Sequence, residues 1–207
     1  MLIKEVPVEH IEEALRARDL GADRIELCDY LNAGGTTPSY GTIRTALRLL
    51  DIPLMVMIRP RGGDFEYTDA EFEVMKEDVD FCRRTGVHGV VFGLLDNGKC
   101  VDTARTRELM EIAGSLQVTF HKAFDETADL PAALETIIGL GVHRVLTSGG
   151  AQTAVRGAGM LRQIILQANE RIGIVVAGKV SSQNFDEVCR LVPAHEYHGR
   201  LLVGKLT

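Results

Sequence analysis

Leu20-Gly21-Ala22-Asp23-Arg24-Ile25-Glu26-Leu27 decides the fold, because the chain repeats its pattern. Leu140-Gly141-Val142-His143-Arg144-Val145-Leu146 follows it closely, and Thr85-Gly86-Val87-His88-Gly89-Val90-Val91 is a looser third copy. Each copy reads as a helix ending at a glycine, which enters the left-handed conformation at little cost, then a polar residue, then a β-rich run. A recurring helix-to-strand junction marks a βα repeat plan.

The rest of the chain fits that plan. Strands are expected near 2–6, 24–28, 54–58, 88–92, 116–120, 143–147, 172–176 and 195–198. Their short, continuously apolar character is that of strands covered on both faces. Between them, apolar residues fall on helical stripes, such as Phe72, Met75, Val79 and Cys82, or Leu161, Ile164, Ile165 and Ala168. Thr68 with Glu71 forms a capping box for the third helix, and Asp129 with Pro131 opens the fifth. Eight βα units favour a closed, TIM-like parallel (β/α) barrel spanning residues 1–207 as one domain, with the last helix short or missing. An open doubly wound sheet is the rival, but no glycine fingerprint follows the first strand.

Composition narrows the function classes. The chain has 207 residues, is 45% hydrophobic and carries a net charge of −6, so no basic face for nucleic acid is expected. The N-terminus, Met-Leu-Ile-Lys-Glu-Val, lacks the pattern of a signal peptide, and no apolar run nears the roughly 18 residues of a membrane span. The expected location is the cytoplasm, where Cys28, Cys82, Cys100 and Cys189 would be thiols. Cys82 and Cys189 belong to apolar stripes, Cys100 sits in a turn region, and Cys28 alone ends a strand.

Charged groups gather where strands end. Residues 53–58 run into Arg59, Pro60, Arg61, Gly62, Gly63 and Asp64, and residues 116–120 into His121, Lys122, Ala123, Phe124 and Asp125. In a parallel barrel such loops collect at the carboxyl rim. His88, His143 and His195 begin strands and read as structural, whereas His121 and His198 end strands and face that rim. Side chains two apart share a face, which pairs Glu26 with Cys28, Met57 with Arg59, and Thr119 with His121. Glu5, read as the end of the first strand, would join Glu26, Arg59 and His121 in a mutually neutralising cluster, since unpaired charges are costly inside a barrel. That cluster is either a structural ionic layer or a ligand site with carboxylates and an imidazole ready for proton transfer. Arg59, Arg61 and Asp64 form a loop suited to a carboxylate or phosphate, or simply an internal pair. Ser148-Gly149-Gly150 and the Gly178-Lys179 turn are further candidates for anion binding through backbone N–H groups.

Longer blocks carry a resemblance. Gly21–Cys28, Gly34–Gly41, Val56-Met-Ile-Arg-Pro-Arg-Gly-Gly-Asp-Phe65, Gly89–Gly93, Val118-Thr-Phe-His-Lys-Ala-Phe-Asp125, Arg144–Gly150 and Glu196–Gly199 resemble the copper homeostasis protein CutC family over nearly the whole chain. The resemblance implies a TIM-like barrel, a cytoplasmic location and a role in copper handling, with copper held through cysteine; here that points to Cu(I) at Cys28. The sequence also departs from the family pattern: Pro7 stands where a cysteine is usual, Lys122 replaces an arginine, Gly178-Lys179 replaces Pro-Gly-Gly-Gly, and Gly199 follows the last histidine. Three functions remain open. One is copper homeostasis. The second is a barrel enzyme acting on a small anionic or phosphorylated molecule, with Glu5 or Glu26 as base, His121 as acid or electrophile, and Arg59, Arg61, Asp64, Ser148, Gly149, Gly178 and His198 binding ligand. The third is a catalytically silent barrel whose last strand is shielded by a second copy in a homo-oligomer.

Overall fold

Gly21, Gly86 and Gly141, the glycines of the repeated junction, adopt φ of +92°, +79° and +76°. Each turns the chain from a helix into the next strand of a closed parallel barrel, seen in a computed structural model that describes residues 2–206. The strands are β1 (Ile3–Val8), β2 (Arg24–Leu27), β3 (Leu54–Met57), β4 (Gly89–Phe92), β5 (Gln117–Phe120), β6 (Arg144–Thr147), β7 (Gly173–Val176) and β8 (Glu196–His198). They pair in chain order, and β8 closes on β1. The helices are α1 (Ile11–Asp19), α2 (Tyr40–Leu49), α3 (Asp69–Thr85), α4 (Thr103–Ala113), α5 (Leu130–Gly139), α6 (Ala158–Ala168) and α7 (Phe185–Leu191).

Local chemistry sets the helix ends. Thr68 Oγ1 accepts the Glu71 N–H while Glu71 reaches back to the Thr68 N–H, so α3 opens with the full capping box. Asp129 caps α5, with Pro131 in its first turn. The helical stripes pack on the outward faces of the strands, so Val6, Ile25, Val56, Val90, Phe120, Val145 and Val176 are buried beneath them. After β8 the described residues form turns, with no further helix. Among the described residues no helix is long and apolar enough to cross a membrane.

Strand bounds agree with expectation to within one residue except at β1. There the expected 2–6 is corrected to Ile3–Val8, so Glu5 lies inside the strand rather than at its end. Pro7 reads as a breaker because it has no N–H to give. Ile3 N–H and Glu5 C=O both face β8, so alternation turns Pro7 the same way. By that level β8 has ended, its last pairing being Glu5 with His198, and no ladder bond is lost.

Candidate functional site

Alternation sends every second side chain inward. At the amino end of the barrel, Arg24 donates from Nε to Glu5 Oε2 at 2.5 Å and from its other arm to Glu196. Arg144 Nε lies 3.9 Å from the same Glu196 oxygen. These side chains form a buried ionic layer across the floor. The same parity that puts Glu26 and Cys28 on one face puts Arg24 there too, two residues earlier, so the sequence held a signal for the guanidinium that Glu5 needs.

Above that floor, His198 Nδ1 lies 2.9 Å from Glu5 Oε1, and its Nε2 lies 3.8 Å from Glu26 Oε2. Glu5, Glu26 and His198 can each offer one ligand atom within 4.8 Å of the others, the spacing of a three-donor metal site. The two carboxyls are driven apart. Burial alone would raise Glu5, but Arg24 and His198 outweigh it and hold it at about 2, permanently ionised. Burial lifts Glu26 to about 7, the His198 cation pulling it down and the Glu5 charge pushing it up. Burial would lower His198, yet Glu26 and Glu5 carry it above the usual imidazole range.

Cys28 sits just past β2, fully buried, with Sγ 3.6 Å from Glu26 Oε2. Burial and the neighbouring Glu26 charge push this thiol well above the ordinary range. Met55, Met57 and Val91 pack around it. Gly35, at φ +86°, lies against this pair, since a Cβ there would stand 3.3 Å from the Cys28 sulfur and 3.5 Å from the Met57 methyl. Thiol, thioether, imidazole and carboxyl thus share one wall. A soft sulfur pair of this kind suits Cu(I) better than harder divalent ions.

His121 follows β5 and closes the opposite wall of an inner cavity of about 150 Å³, whose lining includes Pro7, Glu26, Met57, His121, Lys122 and His198. Its Nδ1 accepts the Ala123 N–H at 3.2 Å, and its buried Nε2 has no partner. Burial, reinforced by the Arg59 charge, lowers His121 to about 3, so the ring is neutral.

The expected cluster of Glu5, Glu26, Arg59 and His121 does not form as an ionic set. Arg59 donates to the Ala33, Gly35 and Gly63 carbonyls and lies over the Phe65 ring, 4.8 Å from its centroid. It pins two loops together, and Arg24 supplies the charge that neutralises Glu5. Arg61 binds Glu71 at 2.6 Å and Asp64 at 3.0 Å, so this loop is internally paired. The N–H groups of Ser148 and Gly150 are taken by Asp125, each at 2.9 Å, which also accepts from the Ser148 and Thr147 hydroxyls. Asp125 fills the anion pocket that Ser148-Gly149-Gly150 would otherwise offer; the Phe-Asp pair after His121 was its signal. Gly178, φ +102°, passes so near Ser148 and Ala154 that a Cβ would come within 2.7 and 2.8 Å of them. His88 and His143 accept the Leu54 and Val118 N–H groups at the strand starts.

Comparison with known proteins places this geometry in a family. Residues 2–202 match the sequence profile of the CutC family. The copper homeostasis protein cutC homolog of Homo sapiens is 44% identical over 196 residues, which is 95% of this chain and 72% of that protein. A family protein CutC of Xanthomonas axonopodis pv. citri is 46% identical over 194 residues, 94% of this chain and 81% of that one. A crystal structure of CutC from Streptococcus agalactiae superposes with a TM-score of 0.93 at 32% identity, covering 98% of this chain and 100% of that one. An aldolase, QR15, superposes at a TM-score of 0.70 with 14% identity, over 99% of this chain and 92% of that one, a likeness of fold alone. With the profile match, the identities and the superposition in agreement, this chain belongs to the CutC family.

Proposed function

We propose that the protein serves copper homeostasis by holding Cu(I) at Cys28 in the reducing cytoplasm. The observation that carries the reading is the Cys28 thiol, buried against Met57 with the Glu26 carboxyl at 3.6 Å. Cu(I) prefers few, soft donors, and a thiolate with a thioether beside it offers them. Coordination exchanges the thiol proton for the metal, and Glu26 is placed to accept that proton. Pro7 occupies the position of a second family thiol, and its ring lines the cavity beside Glu26. His198, whose Nε2 lies 3.8 Å from the same Glu26 oxygen, would serve as a further donor. A free thiol with a cuprous ion belongs in a reducing compartment.

An anaerobic Cu(I) titration against a competing chelator tests this. Cys28→Ser is expected to weaken binding by at least about 100-fold, and Met57→Leu by about tenfold. Because the folded thiol is protonated at neutral pH, affinity rises about tenfold per pH unit. Unchanged affinity in Cys28→Ser removes Cu(I) from this site.

A further inference from the structure

A second cavity shares Lys122 and His198 with the inner one. The outer cavity lies where β7 and β8 emerge, and its charged lining consists of Lys122, Lys179, His198 and Arg200. No aspartate or glutamate lines it, in a chain with 29 acidic residues. The cations differ in how far they are committed. Arg200 is spent on Glu9 and Glu13, at 3.0 and 2.8 Å. Lys122 is loosely held, 3.5 Å from Asp125. Lys179 has no ion pair among the described residues, nor do the backbone N–H groups of Gly178 and Lys179 find an acceptor there. Lys179 itself is held at φ +57°, a conformation non-glycine residues seldom adopt.

At the inner end, His121 has one tautomer open to it. The Ala123 N–H points at Nδ1, which therefore carries no proton, so the ring proton is on Nε2. That N–H is buried and unpartnered, on a ring that lines the inner cavity. A buried donor left unmade costs free energy that a ligand oxygen would recover.

We propose that the barrel mouth binds a small two-ended anion. The His121 Nε2–H receives its carboxylate or carbonyl oxygen in the inner cavity, and Lys122, Lys179 and the Gly178-Lys179 backbone receive a phosphate in the outer one. Two lysines beside free backbone N–H groups fit the several oxygens of a phosphate. The inner cavity admits only a short carbon chain. The binding groups differ from the proposed copper donors, although Met57 and His198 also line the inner cavity.

Calorimetric titration with 2-phosphoglycolate, inorganic phosphate and glycolate tests the proposal. Expected is phosphoglycolate binding at least about tenfold tighter than either fragment, since both ends contribute. Lys179→Gln, an exposed change that leaves the core alone, should weaken phosphoglycolate and phosphate by about tenfold and leave glycolate unaffected. His121→Phe should weaken phosphoglycolate and glycolate but not phosphate, with His121→Gln, which keeps an N–H donor, restoring part of the loss. Cys28→Ser should bind phosphoglycolate as the natural chain does. Three results would overturn the site: no binding up to about 10 mM, phosphate alone matching phosphoglycolate, or identical affinities in Lys179→Gln and the natural chain. Cu(I) affinity retained in Lys179→Gln keeps either proposal's failure separate from the other's.

Discussion

Arg24 shows how one side chain governs the rest. It starts β2, is 5% exposed, and binds Glu5 and Glu196, which come from the two ends of the chain. Removing one partner of a buried ion pair leaves an uncompensated charge, which costs about 3–5 kcal/mol. Arg24→Met is therefore expected to lower stability at neutral pH by that amount, read from the midpoint of urea unfolding. The loss should shrink at acid pH, because a Glu5 freed of its guanidinium takes up a proton more readily. An unchanged midpoint would mean that the ionic floor contributes nothing to stability. Of the acidic half of this layer, Glu5 was legible in the sequence, since it interrupts an apolar strand. The basic half was not, because Arg59 ends a strand as conspicuously as Arg24 begins one. The choice between them depends on register: Glu5 lies directly beside Arg24, whereas β3, which leads to Arg59, is two strands away.

At the scale of elements, periodicity made nearly everything readable, because strands covered on both faces are apolar throughout and helices are striped. β1 was the exception, since what Pro7 requires depends on where β8 stops. Packing within the barrel was also hidden, because it is decided by neighbours remote in sequence. Gly89 in β4 is the clearest case. A Cβ there would stand 2.3 Å from the Gln117 carbonyl and 2.5 Å from the Met55 methyl. The carbonyl belongs to β5 and cannot withdraw without breaking the ladder. Gly89→Ala is expected to destabilise by at least about 3 kcal/mol. Gly139, in the last turn of α5, has nothing within 4 Å of the same construction. Gly139→Ala should instead stabilise by about 0.5–1 kcal/mol, because alanine favours the helix and restricts the unfolded chain. Thermal unfolding of the two variants should move in opposite directions, and movement in the same direction would refute the packing argument.

For the whole molecule, the barrel was legible because one junction is repeated. The site was less so, because it is assembled from β1, β2, β3, β5 and β8 and its charges are assigned only after closure. That assembly has a consequence for pH dependence. His121 is held down at about 3 against an ordinary 6.5, so between those values the unfolded chain binds a proton that the folded one refuses. Stability is lost through this group as pH falls from 6.5 to 3. Glu26 is held up at about 7 against 4.5, so the folded chain keeps a proton that the unfolded one releases. Its contribution is present below 4.5 and is lost as pH rises to 7. Between about 4.5 and 6.5 these two slopes oppose and nearly cancel, leaving a gentle loss through His143, which burial also holds down. Below 4.5 Glu26 no longer compensates, and Glu5, ionised down to about 2, adds to His121. These two buried groups alone then bind two more protons in the unfolded chain, a slope of roughly 3 kcal/mol per pH unit. Stability should therefore be nearly level from pH 6.5 to 4.5 and fall steeply below, as measured by urea unfolding across the range. In Glu26→Gln the compensating proton is gone, so the level region should tilt, with stability falling by roughly 1 kcal/mol per unit from pH 6.5 downward. A profile that stays level in Glu26→Gln would show that His121 and Glu26 do not oppose one another across the barrel.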